Sequence, residues 1–185
     1  MSRSLRTILV STAAFVVMLA MAAAATAQNE HFIRASGNLN NNGTLTVSFK
    51  EAGLGTNQLI TYVLSADATA TYVCVNRGGA NPSAQNKTTV AGPVSATGTF
   101  SSGKNGQVTA SLTVSPPPSD ISCPPGQSLE LAEVTYTNVT LTDTTNDVSI
   151  AIGGTFASGC LLPNVRGACT SQQRTTAADP EALRE

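Results

Sequence analysis

The stretch Ser65 to Asn76 reads Ser-Ala-Asp-Ala-Thr-Ala-Thr-Tyr-Val-Cys-Val-Asn, a two-residue alternation that fits an extended strand and no helix. One face carries Ala66, Ala68, Ala70, Tyr72 and Cys74. The other carries Asp67, Thr69, Thr71, Val73 and Val75. The first face is small and apolar, so it is expected inside, with Cys74 bonded to a later cysteine. The second is mostly polar and is expected to meet solvent.

The same alternation recurs along the chain. Ile33, Ala35, Gly37 and Leu39 precede Asn40-Asn41-Asn42-Gly43, and Leu45, Val47 and Phe49 follow it. Asn-Gly favours a hairpin because both residues tolerate positive φ. Leu59 to Leu64 is apolar on both faces, which suits a central strand. Arg77 to Gly92 reads as a long polar loop. Val94 to Ser101 and Gln107 to Ser115 read as a second hairpin around Gly103-Lys104-Asn105-Gly106. Pro116-Pro117-Pro118 ends it. From Leu129 to Thr142 the apolar parity switches between 131 and 134 and again between 136 and 139, which predicts bulges or a break. Val148, Ile150, Ile152 and Phe156 make the last strand.

These segments predict an all-β, antiparallel β-sandwich, Ig-like or jelly-roll-like, of about eight or nine short strands. The connections are too short for crossover helices.

Residues 1–27 carry the three parts of a cleaved secretory signal: Arg3 and Arg6, an apolar run from Thr7 to Ala24, and Ala25-Thr26-Ala27. Residues 28–169 are then expected to form one sandwich domain, with 170–185 a polar, disordered tail. Removing Arg3 and Arg6 takes the 10 basic residues to 8 against 11 acidic ones, a net charge of −3. No basic run neutralises phosphates, so nucleic acid is not an expected partner. No second apolar run of membrane length follows the leader.

Four cysteines in an exported chain predict two disulfides. Three pairings are possible, and the expected one is Cys74–Cys123 with Cys160–Cys169. Zinc is a poor alternative, since no C-x-x-C pair occurs and His31 is the sole histidine. No metal or other cofactor is expected.

The loop closed by Cys160 and Cys169 is the sharpest candidate contact site, with Asn164, Val165 and Arg166 near its apex. A pre-ordered loop loses little entropy on binding. Arg77, Asn81 and Lys87 in the long polar segment are further candidate contacts. Glu51, Glu130 and Glu133 are expected on solvated faces or strand ends, and nothing in the sequence opposes two of them as a catalytic pair. Asp143, Asn146 and Asp147 lack the full ligand series of a calcium loop and read as a turn. There is no Trp, and Phe49, Phe100 and Tyr72 fall on inward faces, so no aromatic sugar platform is expected.

The function expected from these residues is that of a secreted, non-enzymatic module. It acts by surface contact with an extracellular protein, a glycan or a small ligand, as in adhesion or envelope or matrix association. The alternative is a protease inhibitor or secreted effector that uses the Cys160–Cys169 loop.

Overall fold

The computed structural model describes residues 29–76 and 84–169. The expected leader, the expected tail, and the candidates Arg77 and Asn81 lie outside the described residues. Eight strands follow in order: β1 (His31–Leu39), β2 (Leu45–Ala52), β3 (Leu59–Asn76), β4 (Ala84–Ser101), β5 (Gln107–Val114), β6 (Gln127–Asp143), β7 (Val148–Ile152) and β8 (Phe156–Ala157). They form two antiparallel sheets. The smaller has the order β1-β2-β5; the larger has β4-β3-β6-β7, with β8 also paired to β6. The sheets pack face to face, as the sequence predicts. The strands are not all short: β3 and β4 have 18 residues each and β6 has 17.

The alternation positions the core. Leu45, Val47 and Phe49 of β2 and Val108, Leu112 and Val114 of β5 face Tyr62, Leu64, Ala66, Ala68 and Ala70 of β3. The small alanines let the sheets approach, and the aromatics fill one end. Phe49 meets Tyr62 at a ring separation of 4.6 Å, with Phe32 and Phe100 edge-on to Phe49 at 6.2 and 6.1 Å. Such tilted and edge contacts suit the ring quadrupoles. β3 is central, paired to β4 on one side and β6 on the other.

The parity switches in β6 are bulges in a continuous strand. Register shifts fall where Thr71 and Tyr72 meet Glu133 and Leu131, and where Ser65 and Asp67 meet Thr140 and Thr137. At the second, Asn138 takes a positive φ of 52° and its amide donates to the Asp67 carboxylate at 2.8 Å. Asn tolerates that backbone better than most residues.

Two connections differ from expectation. Residues 84–92 belong to β4, paired along β3, so Lys87 stands on an edge strand. Pro93 sits there opposite Asp67, as an edge permits. β4 and β5 are not hairpin partners: β4 pairs with β3 and β5 with β2. The chain crosses between sheets at 102–106. That crossing is fixed by Leu54 N–H to Gly106 O at 3.1 Å and Asn57 N–H to Gly103 O at 2.7 Å.

The expected bridges are present, Cys74–Cys123 and Cys160–Cys169, with Cα separations of 5.5 and 5.6 Å. The first ties the Pro-rich connection to β3, beside a bond from the Tyr72 hydroxyl to Pro117 O at 2.9 Å. Among the described residues no helix is long and apolar enough to cross a membrane.

Candidate functional site

The second bridge closes a loop that is largely committed to packing. After β8 the chain follows the edge of β6, with Ser158 N–H to Val134 O at 2.9 Å and Leu161 N–H to Ala132 O at 2.8 Å. It then folds over the outer face of the larger sheet. Leu162 and Val165 cover Val73, Val75 and Ala132, and Ala168 is fully buried among them. Val73 and Val75, expected in solvent, are therefore the floor of a second small core. Ala84 N–H donates to Arg166 O at 2.9 Å, which fixes the loop to the start of β4. Of the apex residues, Val165 turns inward while the Asn164 and Arg166 side chains stay exposed. Lys87 is exposed on β4, opposite Val73.

A buried polar cluster lies between the sheets. Parity along β2 sends Glu51 inward after Phe49, not onto a solvated strand end, and Glu51 is 0% exposed. Tyr62 and Asp143, cross-strand partners on the larger sheet, are also sealed from solvent. Burial pushes the Glu51 carboxyl up from 4.5 to about 7. Tyr62 and His31 pull the other way, while Asp143 and Glu30 add to the rise. The Tyr62 hydroxyl is near enough to act on the carboxyl, yet neither group closes a hydrogen bond of good geometry. Burial, then the Glu51 carboxyl, holds the Tyr62 phenol protonated. An acid near neutrality beside a phenol and a second carboxyl has the composition of an acid–base pair. Its members are closed off from any solute.

Asp143 itself serves a turn. Its carboxylate accepts from Thr145 N–H at 2.8 Å, Asn146 N–H at 3.1 Å and the Asn146 side chain at 2.6 Å. That geometry shapes the β6–β7 hairpin. Among the described residues no group of three His, Cys, Asp or Glu side chains is arranged to hold a metal.

The accessible chemistry is on the outer faces. On the larger sheet Thr97, Val63, Thr142 and Ser149 form one cross-strand row, and Ser95, Ser65, Thr140 and Ala151 the next. Hydroxyls bond across strands, Thr61 to Thr99 at 2.9 Å and Thr142 to Ser149 at 3.0 Å. On the smaller sheet the rows are Asn38–Thr46–Thr113, Ser36–Ser48–Ser111 and Arg34–Lys50–Thr109. Strand parity makes both arrays legible in the sequence; which strands share a row depends on pairing, which parity does not give.

No family model matches the chain, and no significant match appears among curated proteins or solved structures.

Proposed function

We propose that the protein is exported and acts outside the cell as a non-enzymatic contact module, binding polyhydroxylated extracellular material through its outer sheet faces. The observation that carries this reading is the cross-strand rows rich in Ser and Thr hydroxyls on both outer faces, with Ser36–Ser48–Ser111 an unbroken one. Each hydroxyl is both donor and acceptor, so a flat array matches the hydroxyls of a carbohydrate. The leader-like start supports export, and the two bridges suit an oxidising compartment. Co-sedimentation of the mature protein with insoluble polysaccharides and envelope preparations tests this. Retention by at least one matrix is expected; no retention by any of them, with the fold intact, contradicts the reading.

A second reading keeps the Cys160–Cys169 loop as an inhibitory element. It is favoured by the exposed Arg166 side chain on a backbone fixed by a disulfide and by the Ala84 bond. It requires inhibition of a trypsin-like protease that Arg166→Ala abolishes.

A further inference from the structure

Arg34 on β1 and Lys50 on β2 are direct cross-strand partners on the outer face of the smaller sheet. Like charges placed directly opposite destabilise a sheet. His31 stands further along the same face, opposite Ala52. None of the outward positions of β1, β2 and β5 is Asp or Glu. Glu51 faces the core, and Glu30 lies near it, before β1 begins. The full chain has 10 basic residues against 11 acidic ones, so opposing two of the cations with no carboxylate on their face departs from ordinary charge mixing.

The relief drops next to this pair. The serine row Ser36–Ser48–Ser111 is short, and the long Arg34 side chain bounds it on one side. Together with Thr109 these residues line a depression of ≈ 440 Å³, with Phe49 and Ala110 at its floor. Rows on one face repeat at roughly 6.8 Å along a strand, and neighbouring strands lie about 4.8 Å apart. The cations and the serine hydroxyls therefore lie within the span of one or two sugar rings. A guanidinium presents a planar fork to a carboxylate or sulfate, and an ammonium adds a point charge beside it.

The geometry points to this face as a binding surface for an anionic glycan: carboxylate or sulfate groups pair with Arg34 and Lys50, and ring hydroxyls engage the serine row. The inference rests on the surface-contact reading and adds to it the face and the charge class. Charge complementarity selects the occupant, because the outward positions of β1, β2 and β5 offer the opposed cations no carboxylate and a neutral polymer adds none.

The test is equilibrium binding of the full protein to polygalacturonate, dextran sulfate and uncharged dextran, at low and high salt, with anionic phospholipid vesicles as a further arm. Salt-sensitive binding to an acidic polymer is expected, stronger than to dextran. R34T/K50T should weaken it roughly tenfold or more, with a thermal midpoint no lower than that of the wild type, since the opposed like charges are gone. K104T removes a cation from the β4–β5 crossing and should leave binding as it was. Equal binding by R34T/K50T and the wild type overturns the inference, as does preference for vesicles over the acidic polymers. Binding to dextran alone, or to none of the three polymers, overturns it while leaving the surface-contact reading in place; that reading falls only if the co-sedimentation panel also retains nothing.

Discussion

The Glu51 carboxyl and the Tyr62 hydroxyl face each other across the two sheets, both fully buried and neither closing a hydrogen bond. A sandwich core that holds a carboxyl in this way favours its protonated form, because the charged form loses hydration that Tyr62 and His31 offset only in part.

This sets a pH dependence. Unfolded, Glu51 loses its proton near 4.5; folded, near 7. Between those values the folded state binds more protons, so stability is full below about 4.5 and falls as pH rises through 7. The shift corresponds to about 3 kcal/mol. Denaturant unfolding from pH 4.5 to 8 should show the decline in the wild type and a much flatter profile in Glu51→Gln. An equal slope in both would place the titration elsewhere.

The Cys160–Cys169 loop should behave as a cover. C160S/C169S is expected to lose about 3 kcal/mol by the chain-entropy model. The Ala84 amide, whose acceptor is Arg166 O, should then exchange much faster, while core amides of β2 stay protected. Hydrogen exchange with residue resolution checks this. An unchanged Ala84 amide would mean that the loop docks without its bridge.

Tyr136 ties the β1–β2 turn to the larger sheet through a buried bond from its hydroxyl to Gly43 O at 2.7 Å. Tyr136→Phe leaves that carbonyl without its partner and should cost about 1–2 kcal/mol. Gly106→Ala should cost at least as much, roughly 1–3 kcal/mol. Gly106 has φ +60°, and an added Cβ would run into Leu54 O at the sheet crossing. Thermal or chemical unfolding measures both.

Much of this architecture is legible in side-chain parity. The inward faces of β2, β3 and β5 and the two bulges of β6 follow from it. Parity assigns a face, not a partner, so β4 and β5 look like a hairpin although they lie in different sheets. The polar start of β4 looks like a loop because an edge strand can be held by ladder hydrogen bonds to β3 without a strong apolar face. Glu51 continues the inward series Leu45, Val47, Phe49; its charge hides that. Val73 and Val75 continue a face that is polar from Ser65 to Thr71, and their cover comes from the distant 160–169 loop and Ala84. The opposition of Arg34 and Lys50 follows from the register that the turn sets at Leu39 and Leu45, which runs unbroken to the pair; the bulge at Ile33 lies beyond it.

The claim that the protein works by surface contact, and through the smaller sheet in particular, is tested most directly by amide chemical-shift mapping. Oligogalacturonate is titrated into the labelled protein. Progressive shifts confined to Arg34, Ser36, Ser48, Lys50 and Ser111 and their strand neighbours are predicted. Shifts centred on Asn164 to Gly167, or no shifts at a saturating excess of oligogalacturonate, would contradict it.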